Sequence, residues 1–181
     1  MPSAMPESAR TAIARKKMSV PLKIALARGI VCSPALDWGC GRGADLHEMQ
    51  GQGIDAQGYD PHWRPQLPAR RDFAYAQCVF VVNVLRTEQE RLDTLTQLRS
   101  YLASGAVVMV AARSKASVEL AAQPKGKIAW RKVGSGYLTS RGTYQEGFTE
   151  DMMFSLLSQA GFTSIEATRQ RDTVFGFATN G

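Results

Sequence analysis

The chain has 181 residues, 44% hydrophobic and 21% charged, with a net charge of +6. This suits one domain with a buried core, and the longest apolar run, Ala106–Ala112, falls far short of the roughly 20 residues a bilayer-spanning helix needs. Two histidines, His47 and His62, are too few for a His/Cys metal cage, so no metal is expected.

The basic N-terminal residues lack a following apolar stretch, which argues against a secretory signal. Cys32, Cys40 and Cys78 form no CxxC pair, which favours free thiols and a cytoplasmic setting. Five of the six net positive charges lie in the first 30 residues, where Arg10, Arg15, Lys16, Lys17, Lys23 and Arg28 face Glu7 alone. One reading is a polyanion contact in which Arg15, Lys16 and Lys17 displace counterions from phosphates. The other is a solvated helix that aids solubility.

In chain order, residues 1–7 read as a tail and Ser8 to Lys17 as a helix. Ser19 and Pro21 start a second helix that Gly29 ends. Together they make a basic helical extension, residues 1–30, ahead of a domain at 31–181. Ser33–Asp37 reads as a strand running into a glycine turn. A helix follows at Ala44–Gln50, with Leu46 and Met49 inward, and then a strand at Asp55–Asp60. Residues 61–76 have no clear period and read as loop. Gln77–Val84 is a near-continuous apolar run of the kind a buried parallel strand shows.

Thr87 caps the next helix and Glu90 completes a capping box. Leu92, Leu95, Leu98 and Leu102 share one face of that helix, which Gly105 stops. Ala106–Ala112 is another buried strand, and Arg113 to Phe148 a long excursion with short helical pieces. Thr149 caps a last helix whose core stripe is Met152, Met153, Leu156, Leu157 and Ala160, ended by Gly161. Ser164–Arg169 and Thr173–Ala178 can pair as a hairpin. The alternation predicts an α/β fold: a mainly parallel Rossmann-like sheet with helices on both faces, a C-terminal β-hairpin and an N-terminal helical extension.

The chemistry concentrates in LDWGCGRG, residues 36–43, and in GYDPHW downstream. A strand ending in Asp37 and turning through Gly39, Cys40, Gly41 and Gly43 into a helix presents bare backbone at the carboxyl edge of a sheet. An acid at the end of the next strand, Asp60, suits both hydroxyls of a ribose. The dinucleotide fingerprint is GxGxxG and serves a pyrophosphate. Here the spacing is GxGxG with an acid before it, and Asp37 suits a cationic group such as the amino group of S-adenosylmethionine. The plainer alternative is a purely structural turn.

These residues resemble the first two motifs of class I S-adenosylmethionine-dependent methyltransferases. Further stretches are similar, in order, to the bacterial and phage group known as DNA phosphorothioation-associated methyltransferases. They are TAIARKKMSVP, the VVNVL strand with EQER, the VAAR strand end and SRGTYQEGFT. The resemblance runs from Thr11 to Phe162. It implies that Asp37, Gly39, Cys40, Gly41 and Gly43 line the methionine and ribose side of the cofactor. Asp60 would hold the ribose, Pro61 and His62 would lie beside the adenine, and Asn83 next to the reactive methyl. The chain departs from the pattern in its short span between second and fourth strand equivalents, where Asp72 is the one acid available for an adenine contact.

The methyl acceptor is less legible. The Asn/Asp-Pro-Pro-aromatic motif of amino-methylating DNA enzymes is absent, Asn83-Val84-Leu85 standing in its place, and Cys78 sits inside a strand rather than in a Pro-Cys motif. In SRGTYQEGF, Arg141, Thr143, Tyr144 and Gln145 can line an acceptor pocket, with Tyr144 on a base and Arg141 on phosphate. Equally, Tyr144 can pack against the core. Asn83, Tyr144 and Arg141 are the catalytic candidates. Nucleic acid is the favoured acceptor; the rivals are a small-molecule or natural-product methyltransferase and a cofactor-binding regulatory protein without turnover.

Overall fold

The computed structural model describes residues 8–11, 15, 17–123 and 129–181. In chain order the strands are β1 (Ala35–Trp38), β2 (Ala56–Tyr59), β3 (Phe73–Val79), β4 (Leu102–Arg113), β5 (Arg131–Val133), β6 (Gly136–Leu138), β7 (Tyr144–Gln145), β8 (Thr163–Gln170) and β9 (Thr173–Thr179). The helices are α1 (Val20–Ala27), α2 (Ala44–Gly51), α3 (Glu88–Arg99), α4 (Lys115–Ala122) and α5 (Glu150–Gln159). One six-stranded sheet runs β2-β1-β3-β4-β9-β8. β1 to β4 pair in parallel, β9 is antiparallel to β4, and β8 and β9 form the expected hairpin.

Alternation along the strands sends side chains to two cores. Leu36, Cys78 and Val110 meet α3 and α5 through Leu95, Leu98, Met153 and Leu157. Tyr75, Met109 and Ala111 meet α1 and α2 through Leu22, Ala25, Leu46 and Met49. Helices thus cover both faces, as the alternation of elements predicts, and α1 is part of the core rather than an appendage. The expected caps are present: Ser19 accepts from Leu22, Thr149 from Met152, and Thr87 with Glu90 forms a capping box.

Four stretches differ from the sequence expectation. β3 starts at Phe73, inside the stretch read as loop, and ends at Val79. Phe80 takes a positive φ of 58° and Val82–Val84 is a 3-10 turn, so the apolar run Gln77–Val84 is only partly strand. Those valines are apolar because the turn packs against the body, and a buried turn has the same composition as a buried strand. α3 ends at Arg99, and Gly105 lies within β4, whose register with β3 shifts nearby. The 113–148 excursion holds α4 and a three-stranded antiparallel sheet, β5-β6-β7, rather than helical pieces alone. At the N-terminus Ser8–Thr11 is a 3-10 helix; residues 12–14 and Lys16 of the expected helix lie outside the described residues.

Candidate functional site

The glycine turn is fixed from below by β2 and from the side by Asp60. The backbone N–H groups of Gly39 and Cys40 donate to the Tyr59 carbonyl at 2.7 and 3.1 Å. Asp60 Oδ2 accepts from Gly41 N at 3.0 Å, and Oδ1 accepts from the N–H groups of His62 and Trp63 at 2.9 and 3.0 Å. This one carboxylate therefore clasps the glycine turn to the turn after β2, and Oδ2 keeps lone-pair capacity for a hydroxyl donor. Gly39 has a φ of 75°, and a Cβ there would lie 2.2 Å from Val81 Cγ2. The close approach that demands glycine is made by the protein's own wall, the Phe80–Val81 segment.

Asp37 lies deeper. It is opposite Gln77 in the β1–β3 register, and the Gln77 amide donates to Asp37 Oδ1 at 3.1 Å. Tyr75 Oη in turn donates to Gln77 Oε1 at 3.3 Å. Burial pushes the Asp37 carboxyl up to about 7, the nearby Asp45 charge adding to the rise and the Gln77 hydrogen bond opposing it. Asp45, at the start of α2, accepts from Ser19 N at 2.7 Å and pairs with Arg15 at 3.3 Å. The ion pair ties the N-terminal segment to the helix that follows the glycine turn.

These elements enclose a cavity of about 440 Å³ at the carboxyl edge of β1, β2 and β3, within the usual size range of small-ligand sites. Of the expected cofactor residues, Gly39, Cys40, Gly41, Asp60, Pro61 and His62 line it. Asp37 stands behind the turn, Gly43 is the N-cap of α2, and Asn83 lies beneath the wall rather than in it. Burial, with the charges of Asp37 and Asp60, pushes the Cys40 thiol up to about 12, so it lines the site as an inert group. Among the described residues no His/Cys/Asp/Glu group is placed to hold a metal ion. No helix among them is long and apolar enough to cross a membrane.

Several further residues, without a distinguishing signal in the sequence, line the cavity. Trp38, Tyr59 and Trp63 supply aromatic wall, and Thr94 and Gln97 of α3 reach the rim. A polar residue on an amphipathic helix carries no mark that separates a site rim from solvent. Thr11 and Arg15 of the N-terminal segment also line the cavity; the charge asymmetry signals that segment without saying which way it faces. Asp72 is held by Arg70 at 2.7 Å on the exposed surface and is absent from the cavity wall.

The catalytic candidates are placed apart from the cavity lining. Tyr144 is 2% exposed and its hydroxyl donates to Glu146 at 3.0 Å, which is the core-packed alternative. Arg141 is exposed, in the turn between β6 and β7, next to Gly142, whose carbonyl accepts from Arg10 at 3.3 Å. Asn83 is 1% exposed; its Nδ2 donates to Gln145 at 3.0 Å, and its Oδ1 is buried with no hydrogen-bond partner among the described residues.

A buried network not foreseen from sequence surrounds Asn83. Arg91 of α3 donates to the carbonyls of Val82 and Leu85 at 3.1 and 2.7 Å and pairs with Glu146. Glu146 N donates to the Asn83 carbonyl at 2.8 Å. The 82–85 turn, whose Val84 and Leu85 line the cavity, is thereby clamped between α3 and the strand segment at 144–146.

No family model and no curated protein matches the chain. Solved structures do. One is the Burkholderia thailandensis 1,6-didemethyltoxoflavin-N1-methyltransferase with bound 1,6-didemethyltoxoflavin and S-adenosylhomocysteine, at 16% identity over 95% of this chain and 77% of that one, with a TM-score of 0.60. A second is the CcbJ methyltransferase from Streptomyces caelestis, at 11% identity over 96% and 95%, TM-score 0.62. A third is an S-adenosylmethionine-dependent methyltransferase from Methanosarcina mazei, at 15% identity over 85% and 94%, TM-score 0.58. At such identities the likeness is one of fold, and the fold of this chain is the one these S-adenosylmethionine-dependent methyltransferases share.

Proposed function

We propose that the chain is a methyltransferase that uses S-adenosylmethionine. The observation that carries this reading is the single cavity edge on which the glycine turn, Asp60 and the aromatic wall converge, on a fold shared with such enzymes. The residues fit the donor. Asp60 retains acceptor capacity for a ribose hydroxyl, and the buried Asp37 suits a cationic amino group that restores its charge. Trp63, Pro61 and His62 line the side where an adenine would lie.

When bound, S-adenosylmethionine supplies a methyl group already activated by its sulfonium. The chain's own part is then to position and to exclude water. Asp60 and the turn orient the donor, the clamped 80–85 segment forms the wall facing the acceptor, and Thr11 and Arg15 cover the mouth. A general base is needed only where the acceptor must lose a proton, and His62, which lines the cavity, is the candidate for that role.

For the acceptor, nucleic acid is the reading we carry forward, supported by the basic N-terminal segment and the resemblance to the DNA phosphorothioation-associated group. Arg15 is engaged by Asp45, so on this reading Lys17, which is exposed, and the other arginines near the mouth bear more of the contact. A small-molecule acceptor is the second reading, favoured by the enclosed cavity. The test is transfer of labelled methyl from S-adenosylmethionine to separate pools of DNA, RNA, protein and small metabolites. Label in a nucleic-acid pool supports the first reading and label in the metabolite pool the second. Donor binding with no label in any pool would leave a cofactor-binding protein without turnover.

A further inference from the structure

Past Asp60 the cavity runs on beside β2, an edge strand of the sheet. Its floor there is aromatic. Trp38 and Tyr59 have ring centres 4.4 Å apart, and Trp38 also meets Tyr101, just past the end of α3, at 5.5 Å. The last turns of α3 therefore lie alongside this floor. Thr94 and Gln97, one turn apart on α3, line the cavity, while their neighbours Leu95 and Leu98 pack into the core. No acid stands at this end: Asp72, the one the sequence offers for an adenine contact, is held by Arg70 on the surface.

An adenine laid against such a floor keeps a polar edge, an amino group that donates twice beside ring nitrogens that accept. Burying those groups without partners costs affinity. Asp60 is turned toward three backbone N–H groups, Arg15 is paired with Asp45, and the Cys40 thiol is inert. Gln97 differs. Its carboxamide carries both donor and acceptor and makes no side-chain hydrogen bond among the described residues. Thr94 gives its hydroxyl hydrogen to the Glu90 carbonyl at 2.7 Å, which leaves its oxygen as an acceptor alone.

We infer that Gln97 and Thr94 select the donor by its base. The Gln97 carboxamide pairs with the adenine amino group and an adjacent ring nitrogen, and the Thr94 oxygen accepts the amino group's second hydrogen. A carboxamide matches that edge of adenine in a bidentate pair. The recognition an acid supplies from a neighbouring strand is here made by one polar face of α3, with no charge to desolvate. The inference rests on the donor reading and adds to it which residues discriminate an aminopurine.

The test is calorimetric titration of the full chain with two probes, S-adenosylhomocysteine and its 6-deamino analogue, which carries purine in place of adenine. The wild type should prefer the amino compound by about tenfold, the worth of one or two neutral hydrogen bonds. Gln97→Leu and Thr94→Val should each weaken the amino compound more than the analogue and shrink that preference to about threefold or less. Thr96→Val, exposed on the same helix and outside the cavity lining, should leave it unchanged. Gln97 is exposed and Thr94 half-buried, so both variants are expected to fold, which circular dichroism checks. A merely structural role would weaken both probes alike and keep their ratio. The inference is overturned by that result, by variants that bind as the wild type does, or by a wild type that binds the two probes equally. In each of these cases S-adenosylhomocysteine still binds the wild type and the donor reading stands. A folded wild type that binds neither probe removes the donor reading and this inference with it.

Discussion

Asp37 and Gln77 face each other across the parallel β1–β3 register, joined by a 3.1 Å hydrogen bond from amide to carboxylate. Beyond Gln77, Tyr75 Oη donates to its amide oxygen, so a chain of three polar groups crosses the core directly beneath the glycine turn. Polar groups in a core persist when they are satisfied. Here one hydrogen bond leaves the carboxyl raised to about 7, poised for a cation above it.

The pH dependence follows from that value. Between about pH 4 and 7 the native state keeps a proton that the unfolded chain has released, so the stability this group contributes falls as pH rises through the window. Binding a cationic ligand favours the ionised form, so affinity should rise about tenfold per pH unit up to about 7 and then level off. Calorimetry with S-adenosylhomocysteine in buffers of different ionisation enthalpy should record proton release near pH 6.5. Asp37→Asn should flatten the profile, and an unchanged slope in that variant would remove Asp37 from the site.

Asp60 holds structure as well as any ligand. Removing an acceptor of three backbone N–H groups is expected to cost about 3 kcal/mol. Asp60→Asn keeps one amide oxygen for the His62 and Trp63 donors and should lose roughly half as much. Urea unfolding measures both. A fully stable Asp60→Ala would mean that the clasp does not fix the turn.

Arg91 and Glu146 form a buried pair behind the cavity wall, 8% and 4% side-chain exposed. Replacing Arg91 by Met leaves Glu146 unpaired and should destabilise the fold by about 3–5 kcal/mol. Adding Glu146→Gln should recover part of that loss, because no unpaired buried charge remains. Equal stability of the single and double variants would show that the pair is not coupled. With Val84 and Leu85 no longer clamped, ligand affinity should also fall in the single variant.

Much of this was legible in the chain. Period and caps placed α1, α3 and α5 because Ser19, Thr87 and Thr149 satisfy the first amide groups of their helices, a purely local event. The glycine turn and Asp60 were legible because their spacing reflects one strand-turn-helix-strand unit. The end of β3 was not, since Phe80 leaves the strand through a positive φ that no apolar pattern signals. Nor was the Tyr144–Glu146–Arg91 network, whose members are 55 residues apart where Arg91 meets Glu146.

If the cavity takes an S-adenosyl ligand at the glycine turn and Asp60, calorimetric titration of the full chain with S-adenosylhomocysteine should show one molecule bound per chain, competed by S-adenosylmethionine and lost in Asp60→Asn under conditions where that variant is folded. No binding by the folded wild-type chain, or full binding by folded Asp60→Asn, would rule that site out.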